Sequence, residues 1–245
     1  MQAYIIHLRN SVNRQQNVRH LQNCLPGPTH IVDAVAGAQL NQDDIDAVYQ
    51  RSRFWLPYPF RLSRAEIACF LSHRKAWRAI VESGDEAAII VEDDAQIDTD
   101  RFPEALRLVE TFIGPRDIVR FPHKCRGRVP PLLLEGPSVC GTPITIRREI
   151  SPGLAMIMQC VGRDAARHLL ALTETFDRPV DVFLQMRWLH KLPVSSVHPV
   201  VVREISQTLG GSTIQTHKRP LFHKLGRNLS RAAYRSWVRT YNGLV

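Results

Sequence analysis

Three adjacent carboxylates, Glu92, Asp93 and Asp94, directly follow an uninterrupted apolar run, Ala87 to Val91. Side by side, such groups repel one another and lose hydration, and a divalent cation relieves both costs. Hard oxygen ligands suit Mg2+ or Mn2+, which take one or two protein carboxylates and complete their shell with water and phosphate. Asp94 is the first candidate ligand and Glu92 the second. His198, on a late apolar run, is a third. Two other meanings fit the triplet: a solvated acidic turn with Asp94 capping a helix, or the carboxylate cluster of a metal-dependent nuclease or phosphatase. Asp181 follows Pro179-Val180 at an expected helix start. It is a candidate general base, and the same position suits an aspartate favoured by the helix dipole. Glu66 stands three residues after Ser63, the order of a capping box, and is a second catalytic candidate.

These residues must be positioned by regular elements. Tyr4 to Leu8 reads as a buried first strand, and Asn10 or Ser11 caps a helix running to Leu21. Ile31 to Val35 is a second strand, followed by a turn at Gly37 and a polar helix over 43–51. The helix opened by Ser63 carries Ile67, Phe70, Leu71, Trp77 and Ile80 towards a core and stops near Gly84. Ala87 to Val91 has the continuous apolarity of a central parallel strand. Helices are expected over 102–113, 163–173 and 179–190, and strands over 117–121, 154–159 and 197–202, with a β-rich excursion between 126 and 148. The pattern predicts an α/β fold: one domain with a largely parallel central sheet flanked by helices. Ligands of such sheets sit beyond the carboxyl ends of the strands.

The 245 residues, 44% of them hydrophobic, suffice for one such domain. No run approaches the roughly 20 apolar residues of a membrane span. The first residues lack the pattern of a signal peptide, so the start reads as mature and cytoplasmic. Five cysteines without a C-x-x-C pair read as reduced thiols rather than as disulfides or a structural zinc site. Seven of the nine net positive charges fall in 217–245, which contains no acidic residue. This places a domain over 1–216 and a basic tail over 217–245. In the tail Arg227, Arg231, Arg235 and Arg239 alternate with Leu221, Leu225, Leu229, Ala233 and Trp237, two stripes on opposite faces of a helix. An anionic membrane surface fits that helix, with Trp237 at the interface. Docking of the apolar stripe on the chain's own core is the alternative. Nucleic acid is not expected, because no stacking platform or binding motif accompanies the charge.

Several blocks occur in an order that resembles glycosyltransferase family 25, the bacterial lipopolysaccharide and lipooligosaccharide glycosyltransferases. They are Tyr4 to Leu8 with Arg14; Asp33-Ala-Val-Ala-Gly37; Arg64-Ala-Glu-Ile-Ala-Cys-Phe-Leu-Ser-His73 with Trp77; and Ala88-Ile-Ile-Val-Glu-Asp-Asp94. Weaker likeness continues through Pro179-Val-Asp181, Trp188, Val197 to Val201 and Ser212-Thr213-Ile214. Ala65 stands where the family often has glycine. The resemblance implies a GT-A-like fold and an inverting, metal-assisted transfer of a hexose, galactose or glucose, from a UDP-sugar. It further implies a lipopolysaccharide-core or related saccharide acceptor. Leu8, Arg14, Ser72, His73, Glu92 and Asp93 are then the donor-binding candidates, with Asp93 and Glu92 open between donor and metal. A lipid-linked acceptor would agree with a cytoplasmic enzyme held peripherally at the inner face of the membrane. The competing readings are a metal-dependent phosphodiesterase or nuclease, and a catalytically inactive scaffold in glycan assembly.

Overall fold

The computed structural model describes residues 1–124, 130–211 and 221–243, with the backbone alone over 221–231. In chain order the elements are β1 (Gln2–His7), α1 (Val12–Cys24), β2 (Thr29–Asp33), α2 (Gln42–Val48), α3 (Arg64–Ser83) and β3 (Ala87–Glu92). Next come β4 (Ala95–Ile97), α4 (Phe102–Phe112), β5 (Ile118–Arg120), β6 (Leu132–Val139), β7 (Thr142–Arg148) and β8 (Met158–Gly162). The chain continues through α5 (Arg163–Leu172), α6 (Val180–Leu184), α7 (Arg187–His190), β9 (Val194–His198), β10 (Val202–Glu204) and α8 (Leu221–Asn242).

The central sheet, among the described residues, has the order β2-β1-β3-β8-β5-β9-β7-β6. Its parallel pairs are β1 with β2, β1 with β3, and β5 with β9. β8 runs against β3 and β5, and β7 against β9 and β6, so six of the eight strands point one way. The sheet is therefore mixed, with parallel blocks, rather than uniformly parallel. Apolar runs mark strands in a sequence but do not give their direction: the segment 149–157 carries the chain from the end of β7, opposite Ser195, to the start of β8, opposite Val91, so that β8 runs against β3 and β5.

Strand alternation divides the interior into two cores. Ala88 and Ile90 face α3, with Phe70, Trp77 and Ile80, while Ile89 and Val91 face Val18, Leu21, Leu106 and Val109 of α1 and α4. Local chemistry sets the helix ends. Asn41 with Asp44, and Ser63 with Glu66, form capping boxes, and Gly84 ends α3 in the left-handed conformation. Gly37 packs so closely on the start of α3 that a Cβ there would lie 3.0 Å from backbone atoms of Arg64 and Ala65.

Several boundaries depart from expectation, β2 lying at Thr29–Asp33 and α2 ending at Val48 among them. The strand expected at 154–159 is observed at Met158–Gly162, because Ala155 has φ 74° and gives its N–H to the Asp181 carboxylate. The helix opened by Pro179 breaks at Gln185–Met186 into α6 and α7. The last apolar run divides between β9 and β10, and β10 pairs with β4 beside the acidic triplet. Helix α8 lies on the body through Tyr234, Val238 and Asn242, all buried. That face adjoins the expected stripe, of which Ala233 and Trp237 are exposed. Ser212-Thr213-Ile214 and the side chains of Leu221, Leu225, Arg227, Leu229 and Arg231 lie outside the described residues.

Candidate active site

The triplet sits where β3 ends, and its carboxylates find different partners: Asp93 and Asp94 meet on Arg14, and Glu92 meets His73. Glu92, last in the strand, turns to the α3 side, where His73 Nε2 lies 3.1 Å from its Oε1. Asp93 turns to the α1 side. There His7 Nδ1 donates to its Oδ2 at 2.7 Å, and Arg14 Nη1 donates to its Oδ1. Arg14 Nη1 also lies 3.2 Å from Asp94 Oδ2, and Nη2 donates to the Gly211 carbonyl at 3.1 Å. Asn17, one turn along α1, donates to the carbonyls of Asp93 and Ala95, each at 2.8 Å. The backbone is held as well: Glu92 N–H donates to Ile157, Asp93 N–H to Ile6, and Ile205 N–H to Asp94. Arg14, Asp93 and Asp94 are all buried. Burial works against the Arg14 charge, but Asp93 and Asp94 outweigh it and raise its pKa.

Asp94 is the strained member. Among the described residues its Oδ1 is buried with no hydrogen-bond partner. Burial first, then the neighbouring Glu92, push its pKa up to about 7; Arg14 opposes this, and Asp93 and Glu204 add to it. An unpartnered oxygen of a crowded carboxylate is a fitting ligand for a hard divalent ion, whose charge would relieve both desolvation and repulsion.

Across the sheet from Asp93, the α3 side gathers a second set. Cys69 and His73, one turn apart on α3, meet Glu92, with ligand atoms of all three within 4.8 Å of one another. Asp181, half-buried at the start of α6, accepts from the N–H groups of Ala155 at 3.0 Å and Val182 at 2.8 Å. Burial raises its pKa, while those hydrogen bonds and Arg120 pull it back and Glu92 adds to the rise. Arg120 donates to the carbonyls of Gly153 and Ala155, fixing the loop that leads into β8.

The other expected residues have local partners. Ser72 Oγ accepts from Val35 N–H at 2.9 Å and donates to Ala68, tying the loop after β2 to α3. Glu66 Oε2 accepts from Ser63 N–H at 2.7 Å and from its hydroxyl at 2.8 Å. Leu8 is partly buried at the end of β1, and its carbonyl accepts from Ser11 N–H. His198 pairs with Ser196 Oγ at 2.9 Å and lies 3.9 Å from Glu149. Burial pushes Glu149 up, and the bonds from His198 and Ser196 outweigh it and leave its pKa lowered.

Sequence reasoning missed His7, Asn17, Cys69 and Arg120. A signal was available for Asn17: it lies three residues after Arg14 and beside Val18 and Leu21, so two polar side chains share the buried face of α1. Cys69 and His73 were readable in the same way, at i and i+4 on the helix facing the triplet. Four cysteines, Cys24, Cys69, Cys140 and Cys160, are free thiols; Cys125 lies outside the described residues.

This arrangement, from β1 through β5, coincides with the part of the chain that matches known proteins. Residues 1–121 match the family described as glycosyltransferase family 25, LPS biosynthesis protein. Similar proteins include procollagen galactosyltransferase 1-B of Xenopus laevis, 30% identical over 100 residues, or 40% of this chain and 16% of that protein. Procollagen galactosyltransferase 2 of Mus musculus is 32% identical over 83 residues, 33% of this chain and 13% of that protein. Probable inactive glycosyltransferase 25 family member 3 of Bos taurus is 32% identical over 105 residues, 38% of this chain and 17% of that protein. The matched segments thus span only 13% to 17% of these relatives' lengths. The family 25 match takes in Arg14, the α3 block and the triplet, while Glu149, Asp181 and His198 lie beyond it.

Proposed function

We propose that the chain is an inverting hexosyltransferase of GT-A-like architecture. It takes galactose or glucose from a UDP-sugar, with Mn2+ or Mg2+, and delivers it to a lipopolysaccharide-core or related saccharide acceptor. The observation that carries this reading is Asp94 at the end of β3, buried, with one oxygen unpartnered among the described residues and its pKa pushed up to about 7. The family match supports the reaction class, and the galactosyltransferase names of two relatives support the sugar.

Asp94 and Glu92 would hold the ion in this reading, and the bound ion would supply Lewis acidity for departure of the diphosphate. His198 is the weaker third ligand. Leu8, Arg14, Ser72, His73, Glu92 and Asp93 form the donor side. Arg14 and Asp93 act chiefly by fixing Asp94. Ser72 shapes the loop that follows β2. Asp181 is the general base: its raised pKa brings a carboxylate nearer to the value suited to proton transfer at neutral pH. It accepts the acceptor hydroxyl's proton as that oxygen attacks the anomeric carbon. The bond from that carbon to the diphosphate oxygen breaks, and its electron pair leaves with UDP. Glu66 supports this site through the start of α3. The exposed Trp237, Arg235 and Arg239 of α8 hold the enzyme to an anionic membrane surface at the inner face, on the cytoplasmic side. No helix of the described residues is long and apolar enough to cross a membrane.

Calorimetric titration of UDP tests the donor site. Binding should strengthen with Mn2+ in the wild type and lose that dependence in Asp94→Asn. Equal affinity with Mn2+ and with chelator would contradict the metal-assisted reading. The relative described as probable inactive favours one second reading, a binding protein that holds donor without turnover. Product formation separates the two.

A further inference from the structure

We propose that Cys69, His73 and Glu92 form a binding site for Zn2+, distinct in chemistry from the hard-ion site at Asp94. The two residues on α3 stand at i and i+4, the spacing with which one helix face presents two ligands to one ion. Glu92 closes the site from the end of β3. Tetrahedral zinc with bonds of about 2.0 to 2.3 Å sets its ligand atoms roughly 3.3 to 3.7 Å apart. His73 Nε2 and Glu92 Oε1 already stand 3.1 Å apart, and the Cys69 sulfur completes a group within 4.8 Å. Small side-chain rotations therefore suffice. His73 is wholly buried, its ring centroid 6.5 Å from that of Trp77.

The surroundings favour a cation. Burial first, then the carboxylates of Glu92, Asp181, Asp94 and Glu66, raise the pKa of the Cys69 thiol, and a cation placed among them would oppose that rise; Arg120 and Arg14 are guanidiniums that act on Glu92. A thiolate and an imidazole select zinc over Mg2+ or Mn2+, and the fourth position stays open to water or an anionic oxygen. Zinc binding releases the thiol proton to solvent. Because Glu92 belongs to both sites, zinc held here draws it away from the hard ion, and the site acts as an inhibitory one. That last consequence rests on the proposed transferase reading; zinc binding itself does not.

Cobalt(II) titration of the full chain is the test, since a thiolate-bound cobalt gives a near-ultraviolet charge-transfer band and tetrahedral visible bands. Wild type should show both at one cobalt per chain, Zn2+ should bleach them, and Cys69→Ser should lose the charge-transfer band. A Cys24→Ser/Cys140→Ser variant should keep it. No band in the wild type, or a band that persists in Cys69→Ser, would overturn the proposal, whatever the variants' stability. Zinc inhibition of UDP-sugar turnover that Cys69→Ser relieves is a separate readout. Its failure alone would touch only the shared-Glu92 consequence.

Discussion

Arg14 joins two carboxylates and a carbonyl through one planar head, so its contribution is geometric as well as electrostatic. Its replacement by Met leaves Asp93 and Asp94 buried without their cation. The expected loss is about 3 to 5 kcal/mol, the range for breaking a buried pair, measured by urea unfolding. Asp94 should behave in the opposite way. Its raised pKa means that the folded state disfavours its ionised form. Stability contributed by the protonated group is present below the ordinary carboxylate range and is lost as pH rises through about 7. Asp94→Asn should therefore flatten the fall in stability between about pH 4 and 7 and leave the fold intact, while donor turnover drops roughly a hundredfold or more, the scale of losing one preorganised electrostatic stabiliser. A variant that loses fold and turnover together would remove the distinction between Asp94 and Arg14.

The helices on the α3 face depend on a few close contacts. Phe70 stacks on Phe176 with centroids 3.9 Å apart and meets Trp77 and Phe183 edge-on. Phe70→Ala should cost about 3 to 5 kcal/mol in denaturant unfolding. His190 fixes the break between α6 and α7: Nδ1 accepts from Leu192 N–H, so the proton sits on Nε2, which donates to Leu184. Burial lowers its pKa to about 4, against the usual 6.5. The unfolded chain takes up this proton below pH 6.5 and the folded chain does not. Stability should therefore fall from about pH 6.5 towards 4, by up to roughly 3 kcal/mol, and a pH series of urea midpoints in wild type and His190→Gln reads the difference. Element chemistry of this local kind was partly legible. The Ser63–Glu66 and Asn41–Asp44 boxes lie within four residues, and the end of α3 at Gly84 follows from one glycine. The break at Gln185 was not legible, because tertiary contacts of Gln185 and His190 impose it. Nor was the late start of β8, which depends on Asp181 capturing the Ala155 N–H from far along the chain.

On the scale of the whole molecule, α8 is tied to the body by Arg178. That wholly buried residue donates to Tyr234 Oη, Asp177 and the Leu56 carbonyl, and its guanidinium lies 5.2 Å from the Phe54 ring centroid. Asn242 binds the Gln185 carbonyl and accepts from Arg187 N–H. The periodicity of the tail announced an amphipathic helix, but its buried face is set one residue round from the expected stripe by polar anchors that hydropathy does not score. Trp237, 52% exposed, and Trp55, 60% exposed, flank Tyr241 on the outer surface. Trp237→Ala/Arg239→Ala should weaken sedimentation with anionic vesicles and spare the fold; unchanged sedimentation would remove the membrane role. The strand runs were legible from apolar sequence, and the direction of β8 was not. The site was legible where it follows a strand end, at the triplet. Its division between two faces emerges only once Arg14 and His73 approach β3 from opposite sides.

The most direct measurement is nucleoside-diphosphate release from a panel of sugar nucleotides, with and without a saccharide acceptor, in Mn2+, Mg2+ or chelator, for wild type and Asp94→Asn. Wild type should release UDP from UDP-galactose or UDP-glucose in a metal-dependent way, and Asp94→Asn should lose that release. Metal-independent release, or equal release by the variant, would contradict the metal-assisted reading.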